Sequence, residues 1–270
     1  MSENRGGEAE KGDREGGEKR RGSRIIGRVL PGAVRLWLRS QLEKVGQLDI
    51  QLEGRDREII SGRLPRVAIS AEDAIYQGLH IGSVALSAED ICINVGQVIR
   101  GKPLKLLKGF PVLGEIKLSA EDLEASADSA LLLAGVTDFW RGLSQLPQLA
   151  EEIQNRYGTL PLSSDVVVRD LAIALGEGSV GLSFYPQSRG EVGSEPIAIG
   201  AKLALVSGRF LQLSAAKWLS QLADLNELDK GVAIQALEGF EWDIGTDTQL
   251  SRLILNPDRL LCAGQIQVRP

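Results

Sequence analysis

Near the N-terminus, Val34, Trp37, Leu38, Gln41, Leu42 and Val45 recur every three to four residues, the spacing of one helical face. Pro31 suits a first turn and Gly46 a stop, so a helix is predicted from Pro31 to Val45. The period then falls to two. Leu48–Leu52, Val67–Ala71, Val84–Ala88, Ile91–Val95 and Val112–Leu118 alternate apolar with small or polar residues, as half-buried antiparallel strands do. Glycines 54, 62, 78, 82, 101 and 114 punctuate them, consistent with a meander.

Helical spacing returns at Ser119 and carries Leu123, Ala127, Leu132, Val136, Trp140 and Leu143 toward Pro147, running on weakly to Tyr157. A second strand group is expected at Val166–Leu175, Val180–Tyr185 and Pro196–Leu213, with Pro186–Glu195 as a polar loop. A short helix is predicted at Ala215–Leu225, then two closing strands at Leu253–Leu255 and Leu260–Val268. This order predicts an α+β class: a long N-terminal helix packed on a curved antiparallel sheet, with one or two further helices between strand groups.

Composition narrows the chemistry. Aromatic residues are only 4% of the chain, so any core is aliphatic. Residues 1–23 are charged and Gly-rich with almost no apolar content; they read as a disordered tail ahead of a single domain over 24–270. From Lys19 to Arg39 there are seven basic residues and no acid, whereas the tail before them and the body after them are net acidic. One compact basic segment fits attraction to an anionic surface better than nucleic-acid binding, which spreads positive charge over a face. Arg35 and Arg39 interrupt the apolar run Val29–Val34 before it resembles a signal h-region. No run elsewhere approaches the ~20 residues of a spanning helix. A cytoplasmic protein, at most peripherally attached to membrane, is therefore expected.

Catalytic signatures are missing from the sequence. His80 is the sole histidine, which excludes a histidine-ligated metal site and leaves room for one Ser-His or Cys-His arrangement at most. It falls where a turn between strands is expected. No phosphate loop, dinucleotide fingerprint or nucleophile elbow is present. Cys92 and Cys262 lack metal-type spacing and read as free thiols of a reducing compartment. Ser-Ala-Glu-Asp recurs at Ser70, Ser87 and Ser119, without the spacing of a calcium loop. The third copy reads as a capping box and the first two as strand-end turns. No enzyme activity, cofactor or metal is expected.

On a wheel of 100° per residue, Arg24, Arg28, Arg35 and Arg39 fall within an arc of about 60°. Ile26, Val29, Leu30, Ala33, Trp37 and Gln41 lie on the far side. Such a stripe lies in a membrane interface, or covers a core while its arginines are merely solvated; the pattern fits both. Four such residues on an anionic surface contribute ~4 kcal/mol, nearly three decades in affinity. A second basic patch, Arg100, Lys102, Lys105 and Lys108, is interleaved with Leu104, Leu106 and Leu107. It fits a pocket rim where a headgroup meets acyl chains, and equally an edge strand protected by lysines.

At these residues the chain resembles the LmeA-like phospholipid-binding family, in its cyanobacterial-type branch. The resemblance runs from about Leu36 to Leu133 and continues more weakly to the C-terminus. It is densest in Trp37-Leu38-Arg39-Ser40-Gln41, Gly62-Arg63-Leu64-Pro65-Arg66-Val67, Ala74-Ile75-Tyr76-Gln77-Gly78-Leu79-His80 and Asn94-Val95-Gly96-Gln97-Val98-Ile99-Arg100-Gly101-Lys102-Pro103-Leu104. It implies phospholipid binding without catalysis, on a fold similar to tubular lipid-binding domains. The expected groove is lined by Val34, Trp37, Leu38, Leu42, Val67, Ile69, Val84 and Leu86. Arg24, Arg28, Arg35, Arg39, Arg100, Lys102, Lys105 and Lys108 would meet headgroups or membrane. The partner is then a phospholipid, anionic by the charge of these residues, with lipid transfer as an extension. The rival reading is a protein-interaction module whose basic helix docks an acidic partner.

Overall fold

Two antiparallel sheets joined edge to tip form the architecture in the computed structural model, which describes residues 32, 34–98, 100–158, 166–188, 191–192 and 195–270. The first sheet is six-stranded, in the order β1-β2-β3-β4-β13-β12. Its strands are β1 (Gln47–Glu53), β2 (Arg63–Tyr76), β3 (Leu79–Cys92), β4 (Phe110–Ser119), β12 (Thr248–Asn256) and β13 (Arg259–Val268). The second sheet is seven-stranded and runs β10-β9-β8-β6-β5, with β11 on β9 and β7 on β6. Here β5 is Val167–Gly176, β6 Ser179–Ser188, β7 Glu191–Val192, β8 Ile197–Val206, β9 Phe210–Trp218, β10 Val232–Ala233 and β11 Glu241–Asp243.

A long N-terminal helix packed on a single sheet is not what forms. Among the described residues the N-terminal helix α1 covers only 32 and 34–41. Leu42 and Val45 lie beyond it, because Lys44 bridges to Ile75 and the Gly46 N–H is held by the Glu72 carbonyl at 3.0 Å. Backbone pairing with β2 thus wins over two residues that share the helical spacing. The other helices are short: α2 (Asp56–Ser61), α3 (Val95–Val98), α4 (Ala120–Ala125), α5 (Ala130–Ser144) and α6 (Pro147–Tyr157). The helix expected at Ala215–Leu225 is the end of β9 followed by a 3-10 turn at Leu222–Lys230. Its Ala215, Trp218 and Leu219 satisfy a helical spacing, but β9 claims the first two: Trp218 pairs with Ile199 of β8, and Ala215 falls at the register shift of that ladder.

The strands place aliphatic residues on one face. Leu64, Val67, Ile69, Ala71 and Ala74 of β2 pair with Ile91, Ala88, Leu86, Val84 and Ile81 of β3. Beside them, Val112, Gly114 and Ile116 of β4 pair with Ala88, Leu86 and Val84. The buried beat steps by three residues at two points, and there Asp73 and Asp90 take left-handed backbone conformations (φ 49° and 53°), which Asp tolerates better than most residues. These are the acids of the first two Ser-Ala-Glu-Asp copies, which therefore sit inside strands rather than at strand-end turns. The third copy caps α4: Ser119 Oγ accepts from Asp122 N at 3.0 Å, and Asp122 accepts from Ser119 N at 2.8 Å. β1 forms the outer edge of this sheet, with Gln47, Asp49, Gln51 and Glu53 pointing out to solvent.

Strand β12, at the other edge, meets the hairpin tips of the second sheet. The Leu255 carbonyl accepts from Gly178 N at 3.0 Å, and Gln249 Nε2 donates to Ser207 O at 3.1 Å. Leu250 N donates to Gly208 O at 2.6 Å. Gly208 (φ +71°) sits so close that a Cβ there would lie 2.6 Å from the Leu250 carbonyl, so only glycine fits this tip. Behind the joint, Leu118, Leu123, Leu175 and Leu255 form a buried cluster drawn from both sheets. The main core lies in the second half, where Trp140, Leu143, Leu149, Ile153, Phe184 and Ile197 pack beneath α5 and α6.

The corner between α4 and α5 is tied to the β2–β3 hairpin. Ser126 is fully buried; its Oγ donates to the Asp122 carbonyl at 2.6 Å and accepts from His80 N at 2.8 Å. His80 lies within β3 opposite Ile75, not in a turn. Ser126→Ala leaves the His80 N–H without this acceptor, a loss of about 1–3 kcal/mol. A lowered urea midpoint with unchanged slope is the expected result; a change below ~0.5 kcal/mol would show the corner to be held without it.

Candidate functional site

Helix α1 lies over the apolar face of the first sheet, and between them is a cavity of about 210 Å³, cavity 1. Val34, Trp37 and Leu38 form its lid; Leu52, Leu64, Val67, Ile69, Leu86, Ala88 and Ile91 form the strand wall. Ile93, Leu104, Leu106, Phe110, Val112 and Val268 close the far side. Ser87 is the one polar residue of the lining. A space so walled suits hydrocarbon: it offers almost no partner to a polar group, which loses several kcal/mol when buried unpaired.

Six of the eight apolar residues expected to form a groove, Val34, Trp37, Leu38, Val67, Ile69 and Leu86, are brought together around this cavity. Leu42 lies past the end of α1 and is not among the lining residues. Val84 sits one rung farther along β3, packed with Ala71, Ala74 and Ile81. Sequence reasoning passed over Leu104 and Leu106, although their two-residue beat among the lysines was a usable signal: Leu104 and Leu106 turn inward while Lys105 and Leu107 turn out.

The cationic residues lie on two of the segments that wall the same cavity, though none is among its lining residues. Arg35 and Arg39 are exposed on α1, and Arg100, Lys102, Lys105 and Lys108 are exposed along the loop that supplies Leu104 and Leu106. Arg24 and Arg28 lie outside the described residues. None of the six is in an ion pair among the described residues. The two wall segments also carry apolar side chains on their outer sides: Leu36 is 72% exposed and Leu107 61% exposed. Both segments thus carry exposed cations beside exposed leucines. At the end of the strand wall Arg63 pairs with Asp90 at 2.6 Å, and that hydrogen bond holds the Asp90 carboxyl below its ordinary range.

A second cavity, of about 370 Å³, lies between α5 and the second sheet. Leu131, Leu132, Gly135, Val136 and Phe139 of α5 cover it, and β5, β6, β8 and β9 supply its floor through residues such as Ile173, Leu182, Leu203 and Leu213. Leu79 and Leu260 reach it from the first sheet. Half-buried Val84, Ile116 and Cys262 lie on the first sheet between the two cavities, and burial pushes the Cys262 thiol up. Both cysteines are free. Among the described residues no three His, Cys, Asp or Glu side chains converge as metal ligands, and no helix is long and apolar enough to cross a membrane.

Neither a curated protein nor a solved structure matches the chain. Its sequence does match a family profile over residues 21–265, and the chain belongs to the LmeA-like phospholipid-binding family.

The basic loop at cavity 1 is held by Asn94, which is 8% exposed. Its Nδ2 donates to the Pro103 carbonyl at 3.0 Å and its Oδ1 accepts from Lys105 N at 2.7 Å. Asn94→Leu removes both bonds and strands a backbone donor, which costs about 1–3 kcal/mol. Limited trypsin digestion is expected to cut after Arg100 and Lys105 faster in this variant than in the parent. Equal cleavage rates would show that the loop holds its course without Asn94.

Proposed function

We propose that this member of a phospholipid-binding family is a non-catalytic protein that works at a membrane surface and holds a phospholipid at cavity 1. An acyl chain lies between α1 and the sheet, and the headgroup phosphate stays outside, met by the cationic edge. The observation that carries this is a nearly wholly apolar cavity two of whose wall segments bear six exposed cations, none in an ion pair among the described residues. Arg35, Arg39, Arg100, Lys102, Lys105 and Lys108 favour anionic lipid, and exposed Leu36 and Leu107 enter the interface beside them. Arg24 and Arg28 add to the same charge in the sequence.

The magnitudes suit reversible attachment. Each cation near an anionic surface contributes about 1 kcal/mol, screened over roughly 10 Å at 0.1 M salt. Six such groups give useful recruitment without permanent anchoring, which is what a carrier moving lipid between surfaces needs. Lipid transfer is the natural extension of this reading, because α1 is a lid of only nine described residues on cavity 1.

Flotation with phosphatidylglycerol-containing vesicles against pure phosphatidylcholine vesicles tests the surface. Replacing Lys102, Lys105 and Lys108 by Gln should weaken binding to the anionic vesicles by about two decades, from ~1 kcal/mol per lysine. Binding to the neutral vesicles should not change. Native mass spectrometry of gently purified protein tests the cavity, with a retained phospholipid expected. Protein that floats with neither vesicle and carries no phospholipid would overturn the proposal.

A further inference from the structure

Cavity 2 is larger than cavity 1, and its chemistry differs. Its lining contains no charged or hydrogen-bonding polar side chain apart from the indole of Trp242, whose ring stacks against Phe139 at 5.1 Å between centroids. Along α5 the residues that line it are Leu131, Leu132, Gly135, Val136 and Phe139, which recur at helical spacing; Leu131 is 44% exposed and marks the mouth. Charged residues flank the lining in sequence, Lys202 between Ala201 and Leu203 and Arg259 before Leu260, but both are exposed and neither is among the lining residues.

Gly135 adds an independent sign. It sits in the middle of a 15-residue helix, where glycine is about 1 kcal/mol less favourable than alanine. Its φ is ordinary for a helix, and an added Cβ would meet no atom within 4 Å. Neither backbone conformation nor close packing requires glycine there. What its missing side chain does is leave the cavity open.

We propose that cavity 2 is a second hydrocarbon site, which takes one uncharged acyl or isoprenoid-like chain with its polar end directed out past Leu131. Along β3, Leu86 in cavity 1 and Leu79 in cavity 2 are seven residues apart, about 23 Å at the strand rise. The chain therefore comes either from a second lipid molecule or from the other tail of a lipid whose first tail lies in cavity 1. The geometry of cavity 2 stands without the reading of cavity 1, and the two are tested apart.

Each cavity has its own tryptophan, Trp37 in cavity 1 and Trp242 in cavity 2. Trp140 and Trp218 are buried in the main core. Dibromostearoyl phosphatidylcholine and dibromostearoyl diacylglycerol, loaded from vesicles or mixed micelles, would quench an indole that touches the chain. In Trp37→Phe, quenching by at least one of the two probes is expected to persist through Trp242, and to vanish when Trp242→Phe is added. Gly135→Phe, made in the Trp37→Phe background, should fill the cavity, keep or raise the melting temperature, and lose the Trp242 quenching. Native mass spectra then assign the source: two lipids per chain falling to one in Gly135→Phe means a separate molecule, and one lipid throughout means a shared one. No quenching in Trp37→Phe by either probe, while the mass spectrum shows bound lipid, would overturn the proposal. So would undiminished quenching in Gly135→Phe. Loss of quenching in Trp242→Phe alone, where Trp37 remains, would count against cavity 1 and leave cavity 2 standing.

Discussion

The structure depends on a few backbone hydrogen bonds between the edge of one sheet and the hairpin tips of the other. Strand β12 presents Leu250 and Leu255 to the tips at Gly208 and Gly178. An open edge is a liability for any sheet, and it is usually blunted by charge or covered. Here it is covered by the second sheet, so one set of bonds both protects an edge and fixes how the halves meet. The leucine cluster behind it, from β4, α4, β5 and β12, keeps water from competing for those bonds. Chain order contributes too: β12 and β13 are the last strands in sequence but complete the first sheet, so the chain crosses to the second sheet and returns, and two connections join the halves.

That joint gives the molecule two apolar spaces of similar plan and unlike edges. In each, a helix lies over a sheet of aliphatic strands, α1 over the first and α5 over the second. The lid of cavity 1 is short and flanked by cations; the lid of cavity 2 is a full helix seated in the main core through Val136, Trp140 and Leu143. A lid held by few contacts opens at low cost, whereas one built into a core opens only with the core. The first cavity is therefore the easier of the two to open.

Much of this was legible in the strands. The two-residue beat of Val67–Ala71, Val84–Ala88 and Val112–Leu118 placed β2, β3 and β4 correctly, because half-buried sheets write their burial directly into alternation. The helices were less legible. Val34 to Val45 keeps a helical spacing throughout, yet Lys44 and Gly46 bond to β2, a tertiary contact that no local pattern contains. Gly135 likewise reads as a mild flaw in a helix until the cavity beneath it is seen. Six of the expected groove residues converge on cavity 1 because they lie on neighbouring elements. Cavity 2 draws on residues from Leu79 to Leu260, and periodicity carries no information about contacts so distant in sequence.

Strand β1 has a further consequence. Its outer edge is unpaired among the described strands, and along its seven residues Asp49 and Glu53 alternate with half-buried Leu48, Ile50 and Leu52. A second molecule adding there in antiparallel fashion, in the register that sets Asp49 against Glu53, would place carboxylate against carboxylate, and like charges across a strand pair are unfavourable. The β1 edge thereby resists addition of a second copy in that register.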